Sequence, residues 1–205
     1  MKLNINNEKK GGNRIYLVRH GQTDWNLEKK TQGHTDISLN ENGKKQAQLV
    51  SKVISNYKID KIYSSDLLRA KETAEIINEK FGLDIILDNR LREINYGDLE
   101  GVPRPTLTQD VWDVFNNNPE KLNAEPIINV FNRIKSLFDE LDYDNNIMIV
   151  THGGALRTIM YYINNRDNFN KKIYDEKYRD TKISNGAFFE CDLLNNSIKE
   201  IKFGG

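Results

Sequence analysis

Apolar residues along the chain form two kinds of pattern, short continuous runs and longer stretches with helical spacing. The run at residues 15–18 stops at the polar Arg19, which predicts a buried strand that ends in a loop. Beyond Asn42, apolar residues recur on one predicted helix face, at Ala47, Val50, Val53, Ile54 and Tyr57. A second strand is predicted at residues 59–64. The next predicted element is a helix with Gly82 as its C-cap. Its apolar positions are Leu67, Ala70, Ala74, Ile77 and Phe81.

The second half of the chain repeats this alternation after one irregular stretch. A third strand is predicted at residues 84–87, and periodicity then fades over residues 98–125, which predicts an insertion or lid. The next helix should have Pro126 in its first turn, and its apolar positions are Ile127, Val130, Phe131, Ile134, Leu137, Phe138 and Leu141. A strand is predicted at residues 147–150, followed by a turn and by a helix with apolar positions Leu156, Ile159, Met160 and Ile163.

The tail of the chain predicts a β-hairpin, with strands at residues 187–191 and 197–203. Strands that alternate with helices are typical of a three-layer α/β/α fold, in which helices cover both faces of a mainly parallel central sheet. We expect one domain over residues 14–205, with a small lid insertion at about 98–125. Residues 1–13 are expected to form a frayed, disordered leader.

Composition narrows the classes of function. Lysine and arginine number 30, as do aspartate and glutamate, so the chain lacks the broad positive charge that nucleic-acid and membrane binders use. The longest apolar run, at residues 159–163, is far too short to span a bilayer. Cys191 is the only cysteine, which excludes an intrachain disulfide and a multi-cysteine zinc site. We expect a cytoplasmic protein with no nucleic-acid or membrane partner, and a homodimer stays open.

Charged and imidazole side chains follow the ends of three predicted strands. Arg19 and His20 come after the first strand, and His152 comes after the strand at residues 147–150. Arg69 lies in the first turn of the helix after the second strand. Because the carboxyl ends of parallel strands meet at one edge of the sheet, these groups should converge there. Guanidinium groups match phosphate oxygens, so the sequence predicts a site for a phosphoryl group.

Such a site can use one imidazole as a nucleophile. Neighbouring positive charges disfavour protonation of a histidine, and its neutral ring nitrogen is then free to attack phosphorus. At an effective dielectric of about 20, unit charges about 4 Å apart interact by roughly 4 kcal/mol, so arginines can stabilise the phosphoryl group without a metal. The leaving alkoxide still needs a proton and the attacking water must lose one, which requires a carboxylic acid nearby.

Four segments carry a resemblance to a known family. They read Val18-Arg19-His20-Gly21-Gln22-Thr23-Asp24-Trp25-Asn26, Ser64-Ser65-Asp66-Leu67-Leu68-Arg69-Ala70, Leu91-Arg92-Glu93-Ile94-Asn95-Tyr96-Gly97 and Thr151-His152-Gly153-Gly154-Ala155-Leu156-Arg157. In this order they resemble the histidine phosphatase superfamily, which includes the cofactor-dependent phosphoglycerate mutases. The resemblance runs from Arg14 to about Phe189.

The resemblance implies a role for each matching residue. His20 would be the nucleophile and Glu93 the proton donor. The phosphoryl oxygens would be held by Arg19, Arg69 and His152. Further substrate contacts are predicted at Asn26, Gln32, Gly33 and Gly153. The partner would be a small phosphorylated metabolite, and neither a cofactor nor a metal would be needed.

Departures from the mutase pattern favour a phosphatase. Mutases follow their acid with an Arg-His-Tyr-Gly-like segment and their second histidine with Gly-Asn. This chain has Ile94-Asn95-Tyr96-Gly97 and Gly153-Gly154 at these places, and it is short for a mutase. A long insertion helps a mutase to keep water from its phosphoenzyme. The expected function is therefore hydrolysis of small phosphomonoesters, similar to the ribazole-phosphatase and broad-specificity branches.

Three other functions stay open at this point. The first is a phosphoglycerate mutase that depends on 2,3-bisphosphoglycerate. The second is a module that binds a phosphorylated ligand without turnover, although such a module needs neither a nucleophile nor an acid. The third is a metal hydrolase built on His20, His34 and His152, which is disfavoured because their spacing includes no helical ligand pair and their neighbours are cationic.

Some of the candidate residues have ordinary structural interpretations. His34 is expected in an exposed loop. Arg69 could pair with Glu72 or Glu75 on its own helix. Glu93 could belong to a solvated acidic loop, with acidic neighbours Asp88, Asp98 and Glu100.

Two other groups of residues are expected to be structural. Trp25 and Trp112 are expected to be packing residues. The mixed charges of residues 171–180 predict a solvated face that could border the pocket.

Overall fold

A computed structural model describes residues 14–166 and 168–202. The predicted leader at residues 1–13 and Phe203, the end of the predicted hairpin, lie outside the described residues. The strands are β1 (Arg14–Arg19), β2 (Lys61–Ser64), β3 (Ile85–Leu87), β4 (Ile147–Thr151), β5 (Phe188–Asp192) and β6 (Ser197–Ile201). They form a 6-stranded sheet in the order β3-β2-β4-β1-β5-β6.

The centre of the sheet is parallel. Strands β3, β2, β4 and β1 run in the same direction, and β5 and β6 extend the sheet beyond β1 as antiparallel strands. Arg19, the last residue of β1, pairs with Thr151 of β4. Ser64, the last residue of β2, pairs with Val150 of β4. The carboxyl ends of β1, β4 and β2 therefore lie side by side.

Helices cover both faces of this sheet. They are α1 (Asp24–Leu27), α2 (Glu41–Ile54), α3 (Leu68–Asn78), α4 (Gln109–Asn117), α5 (Ile127–Glu140), α6 (Gly153–Asn165) and α7 (Lys171–Lys177). Because alternate strand residues point to opposite faces, Ile15 and Leu17 pack in a core with α5 and α6. Tyr16 and Val18 pack in a second core with α2 and α3. The predicted three-layer architecture with a mainly parallel sheet is confirmed.

The sequence analysis missed three short helices. Helix α1 has 4 residues and α7 has 7, too few for a clear periodic pattern. Helix α4 lies within the predicted lid at residues 98–125, and none of its 9 residues is buried. Shorter 3-10 turns occupy Arg104–Thr106 and Pro119–Leu122. Over the described residues, no helix is long and apolar enough to cross a membrane.

Several predicted boundaries are wrong by a few residues. Helix α2 ends at Ile54, so Tyr57 lies beyond it. Helix α3 ends at Asn78, and Phe81 lies in the turn that follows. Gly82 closes that turn with a φ of 62°, and its amide donates to the Asn78 carbonyl at 2.8 Å. Pro126 is the N-cap of α5 and precedes the first turn.

Candidate active site

The carboxyl ends of β1, β4 and β2 border a cavity of about 480 Å³. Of the predicted site residues, those that line it are Arg19, His20, Asn26, Gln32, Gly33, Arg69, Glu93 and Gly153. His152 is buried behind this wall, with its ring centroid 5.0 Å from that of His20. The structure therefore brings the predicted site residues together at the expected edge of the sheet.

The imidazole of His20 is held in one tautomer. Its backbone amide donates to the Thr151 carbonyl at 2.9 Å, which continues the pairing of β1 with β4. Its Nδ1 atom lies 2.6 Å from the Gly21 carbonyl oxygen. Since a carbonyl only accepts, we assign the proton to Nδ1 and the lone pair to Nε2. Burial, and then the charges of Arg69 and Arg19, hold the pKa of His20 well below its usual value, so the ring is neutral at neutral pH.

The turn after His20 packs backbone against backbone. A Cβ atom on Gly21 would lie 2.3 Å from the Gly43 carbonyl oxygen, and one on Gly43 would lie 2.1 Å from the Gln22 carbonyl oxygen. The Gly21 amide donates to Oγ1 of Thr73 at 3.1 Å. Glycine at both positions thus lets α2 and α3 fix the turn that carries the imidazole.

The imidazole of His152 is also neutral and is bonded at both nitrogens. His152 is the N-cap of α6, directly after β4. Its Nδ1 accepts from Nε of Arg69 at 3.1 Å, and its Nε2 therefore donates to Oγ of Ser65 at 2.8 Å. Burial, followed by the charges of Arg69, His20 and Arg19, lowers the pKa of His152 well below its usual value. Its contact with phosphoryl oxygens stays a prediction.

The Arg69 side chain is fully buried in the first turn of α3. Besides the imidazole described above, its guanidinium donates to the carbonyls of Thr35 at 2.9 Å and Gly33 at 2.7 Å. The alternative in which Arg69 pairs with Glu72 or Glu75 is wrong, because these bonds turn the guanidinium away from its own helix. A loop remote in sequence thus holds this charge at the cavity.

Arg19 presents an unsatisfied donor to the site. Its Nη1 atom donates to the Ile183 carbonyl, while its Nε atom is buried without a partner among the described residues. An N–H group in this state is suited to an anionic acceptor. Burial lowers the pKa of Arg19 and of Arg69 to about 10, so both groups stay charged at neutral pH.

The carboxylate of Glu93 is buried and accepts from three backbone amides. The donors are Ile94 at 2.9 Å, Gly154 at 3.0 Å and Ala155 at 3.2 Å. The last two lie in the first turn of α6, where the helix dipole favours a negative group. Burial alone would raise the pKa of Glu93, but Arg157 and two of these amides hold it below its usual value. The alternative of a solvated acidic loop is therefore wrong.

The segment around Glu93 is clamped from two sides. A Cβ atom on Gly154 would lie 2.3 Å from Oε1 of Glu93, so the close approach of α6 requires glycine. On Gly153, a Cβ atom would be in ordinary contact, 3.5 Å from Nε of Arg19. Arg133 of α5 donates to the Glu93 carbonyl at 2.9 Å. Arg133 gave no sequence signal, because it lies within the apolar stripe of α5, whose pattern indicates core residues.

Glu100 organises the loop at residues 32–35. Its carboxylate accepts from the amides of His34 and of the next residue, both at 2.8 Å. Gly33 has a φ of 55°, and a Cβ atom there would lie 1.9 Å from Oε1 of Glu100. His34 is half-buried, and its Nε2 donates to the Glu93 carbonyl at 2.8 Å. The prediction that His34 is exposed is therefore wrong, since it links this loop to the acid.

Asn26 joins two loops at the rim of the cavity. Its Oδ1 accepts from the Thr23 amide at 3.1 Å in a capping box at the start of α1. The same oxygen accepts from Nδ2 of Asn185 at 3.1 Å. Nearby, Oε1 of Gln32 is buried without a partner among the residues that the structure describes. Asn26 and Gln32 thus line the cavity as predicted, whereas Asn185 gave no sequence signal.

Further cations around the cavity were missed by the sequence analysis. They are Lys29, Lys30, Arg104, Arg157 and Lys182, and Arg179 of the mixed-charge segment lines the cavity as well. Arg157 follows Gly153 by one turn of α6, so its spacing in the quoted motif could have revealed it. Its Nε atom, like that of Arg19, is buried without a partner within the described part of the chain. Lys29 and Lys30 lie in one loop and Arg104 lies in another. The two loops meet at an isolated β-bridge between Lys30 and Pro103, a long-range contact that the sequence does not reveal.

A larger cavity of about 800 Å³ adjoins the first. Tyr96, Arg104 and Arg157 line both cavities. Trp112 of α4 is half-buried and packs against the main core, as predicted, and it also lines the larger cavity. Lys171 also lines the larger cavity, in agreement with the expectation that the mixed-charge residues 171–180 could border the pocket.

The three histidines do not form a metal site. Among residues 14–166 and 168–202, no group of three or more His, Cys, Asp or Glu side chains could hold a metal ion. His34 is bonded to the Glu93 carbonyl, and both ring nitrogens of His152 are bonded within the protein. The described side chains therefore do not build the metal hydrolase that combined these residues with His20.

Comparisons with known sequences agree with this geometry. The profile of the histidine phosphatase superfamily (branch 1) matches residues 15–185. Phosphoglycerate mutase-like protein 4 of Arabidopsis thaliana is 36% identical over 157 residues, which are 71% of this chain and 68% of the relative. The uncharacterized phosphatase PhoE of Bacillus subtilis (strain 168) is 36% identical over 155 residues, which are 75% of this chain and 78% of the relative.

Solved structures share the fold. A mycobacterial glucosyl-3-phosphoglycerate phosphatase superposes with a TM-score of 0.75 at 26% identity, over 87% of this chain and 92% of the other. A mutant phosphoserine phosphatase of Entamoeba histolytica, in complex with phosphoserine, gives a TM-score of 0.75 at 26% identity over 93% and 96%. These relatives support an enzyme with phosphatase or mutase activity. The chain belongs to the histidine phosphatase superfamily.

Proposed function

We propose that the protein hydrolyses small phosphomonoesters through a phosphohistidine on Nε2 of His20. The observation that carries this proposal is the bond of 2.6 Å between Nδ1 and the Gly21 carbonyl. It leaves Nε2 as the atom with the lone pair, in a buried ring that Arg19 and Arg69 keep neutral. A module that only bound phosphate would have no need of such a nitrogen.

In the first step, the Nε2 lone pair of His20 forms a bond to phosphorus while the bond from phosphorus to the ester oxygen breaks. The phosphoryl oxygens bind to the guanidinium groups of Arg19, Arg69 and Arg157. Support for this placement comes from the buried Nε atoms of Arg19 and Arg157, which have no partner among the described residues. The alcohol leaves with a proton from Glu93.

Glu93 has to be protonated for this transfer, although its pKa is below the usual value in the protein alone. A phosphoryl dianion next to Glu93 repels the carboxylate and offsets the charges of Arg19 and Arg157, and both effects raise the pKa. Substrate binding would therefore prepare the acid.

In the second step, Glu93 acts as the base. Its carboxylate takes a proton from water as the water oxygen bonds to phosphorus and the bond from phosphorus to Nε2 of His20 breaks. Inorganic phosphate leaves, His20 returns to its neutral form and Glu93 again holds a proton for the next cycle.

Gly154 favours the phosphatase over the mutase. The Gly-Asn pair expected of a mutase would put a side chain at this position, where a Cβ atom lies 2.3 Å from Oε1 of Glu93. Such a residue could not be accommodated without displacement of Glu93. The names of some relatives keep the mutase as the second candidate.

Rapid-quench labelling with a radiolabelled phosphomonoester tests the proposal. The native protein should acquire an acid-labile, base-stable label, and His20→Ala should lose both the label and about 10⁴-fold or more in kcat. Ser51→Ala is the control and should still form the label, because Ser51 is a buried residue of α2 that lines neither cavity. A label on His20→Ala would contradict the proposal.

Two further assays separate the alternatives. Exchange between 3- and 2-phosphoglycerate that requires 2,3-bisphosphoglycerate, with negligible hydrolysis, would establish the mutase. Tight phosphate binding without any label would establish the binding module. We expect hydrolysis to persist in EDTA, since the proposed charges come from arginines.

A further inference from the structure

The larger cavity indicates what kind of alcohol the substrate carries. We infer that the leaving group is bulky and flat, with an aromatic or similarly apolar ring system that binds against α4, and is not a three-carbon acid. This inference rests on the proposed function, because the phosphoryl group has to occupy the smaller cavity for its alcohol to reach the larger one.

The two cavities share part of their walls. Tyr96, Arg104 and Arg157 line both, so an alcohol bound to phosphorus at His20 passes these residues as it extends outward. The larger cavity has a volume of about 800 Å³. Drug-sized ligands fill pockets of about 300–1,000 Å³, so a three-carbon acid would leave most of this space unused.

Aromatic rings form one part of the wall of the larger cavity, and they are Tyr96, Trp112, Phe115, Phe169 and Tyr174. Tyr96 and Phe115 are stacked, with centroids 5.0 Å apart and an angle of 12° between the rings. Trp112 meets Phe115 edge to face at 5.8 Å. The Arg104 guanidinium lies 5.4 Å from the centre of the Tyr96 ring and 5.9 Å from that of Trp112. Such a wall favours a flat ring that can stack.

Helix α4 retains apolar surface that a ligand can bury. Val111, Trp112 and Phe115 pack against the main core, yet none of the residues of α4 is buried. The fully apolar stripe of α5, by contrast, includes five buried residues. Because burial of apolar area is favourable, a ring system placed on α4 would gain affinity that a small polar acid cannot.

Several charges around the larger cavity are paired within the protein, including Arg179, which lines both cavities. Lys171 pairs with Asp175 at 2.8 Å, and Arg179 pairs with the same carboxylate. Glu125, also at the wall, pairs with Arg133 at 2.9 Å. These ions satisfy one another. The other cations that line the larger cavity, Arg104 and Arg157, also line the phosphoryl site, so the aromatic rings are what distinguishes the rest of the alcohol.

Binding measurements on the His20→Ala protein test this inference without turnover. Isothermal titration would compare 2-(1-naphthyl)ethyl phosphate with ethyl phosphate, which share the same type of primary alcohol. We expect the naphthyl ester to bind about tenfold or more tightly. Adding Trp112→Ala, or separately Phe115→Ala, should remove most of this preference. Asp110→Asn is the matched control on α4, since Asp110 is exposed and outside the cavity wall, and it should keep the preference.

The outcomes separate the inference from the proposed function. Affinities of the two esters within about twofold, tighter binding of phosphoserine than of the naphthyl ester, or an unchanged preference in both aromatic variants would overturn the inference. If the native protein still acquires a label on His20 in these cases, the inference alone fails. If neither ester binds and no label forms, the proposed function fails with it.

Discussion

The two adjoining cavities are built in different ways. In the smaller one, backbone groups hold the charged side chains, as the carbonyls of Gly33 and Thr35 hold Arg69. The carboxylate of Glu93 is held by amides at the start of α6. In the larger cavity, one part of the wall consists of aromatic rings, among them the half-buried Trp112 and Phe115, which meet edge to face.

The difference separates chemistry from selectivity. Buried polar groups at the ends of the central strands have a single arrangement, because each lost bond would leave a costly unpaired group. Half-buried rings on α4 can be exchanged at a smaller cost in stability. We therefore expect changes in the smaller cavity to affect all substrates, and changes in the larger one to alter their ranking.

Among the variants that test the difference between the two cavities, Glu93→Gln is expected to have the largest effect. An amide cannot supply the proton that the leaving alcohol needs, so phosphoenzyme formation from an alkyl phosphate should slow by about 10²–10⁴-fold in single-turnover experiments. The loss should be much smaller with 4-nitrophenyl phosphate, whose leaving group needs no proton. Equal losses for both esters would argue against an acid role. Glu79→Gln, at the exposed end of α3, is the control.

A matched glycine pair should give the next largest effect. In Gly154→Ala, the new Cβ atom would meet Oε1 of Glu93 at 2.3 Å and Cδ1 of Ile94 at 2.7 Å, and Glu93 has to shift. We expect kcat to fall about 10- to 100-fold and the free energy of unfolding to fall by about 1–3 kcal/mol. In Gly153→Ala the closest approach would be an ordinary contact, 3.5 Å from Nε of Arg19, so both losses should be smaller.

Kinetics with both the naphthyl and the ethyl ester make the test with Gly154→Ala more specific. A Cβ atom on Gly154 also meets Ile94, which lines the larger cavity, but its closest contact is with Glu93. The ratio of kcat/KM between the naphthyl and ethyl esters should therefore change far less than kcat itself in Gly154→Ala. Similar kinetics for the two alanine variants, or a ratio that changes as much as kcat in Gly154→Ala, would show that the cavities are not independent.

The smallest effect is expected from acidification, which should act on the smaller cavity. His20 and His152 have lowered pKa values in the folded protein but titrate near about 6.5 in an unfolded chain. Below that pH the unfolded chain binds protons that the native protein does not, so stability falls as the pH drops toward the lower folded values. Between about pH 7 and 6 we expect a loss of about 1.4 kcal/mol in urea unfolding, about 0.7 kcal/mol from each imidazole.

The variant His20→Gln tests the origin of this pH dependence. It removes one of the two buried imidazoles, so about half of the loss should disappear. Equal stability of the native protein at both pH values would contradict neutral, buried histidines in this cavity.

Much of the fold follows from local patterns in the sequence. The continuous apolar runs predicted the parallel strands, and the stripe that includes Val130 and Ile134 predicted α5, since both patterns reflect burial within one element. Helix α4 escaped prediction because its apolar residues, Trp112 among them, face a cavity and are not buried. Short helices such as α7 offer too few turns for a period.

The site was predictable where residues follow strand ends. His20, Arg69 and His152 follow β1, β2 and β4, and parallel strands bring such positions together. Glu100 and Arg133 could not be found this way, because each acts through backbone groups far away along the chain. Arg133 also lies within an apolar stripe that conceals it.

Other expectations from the sequence stay predictions. They include the single-domain organisation, the cytoplasmic location, the homodimer and the absence of a nucleic-acid partner. The role of Trp25 as a packing residue is consistent with its half-buried ring, which lies 5.7 Å from Nζ of Lys30.

The start of α6 ties two functional groups to one rigid body. His152 caps this helix, and the amides of its first turn hold Glu93. A rearrangement of the segment around α4 therefore leaves the separation of acid and imidazole untouched. Descendants of such a chain could adapt to new metabolites by remodelling that segment, while the bond-breaking apparatus is inherited intact.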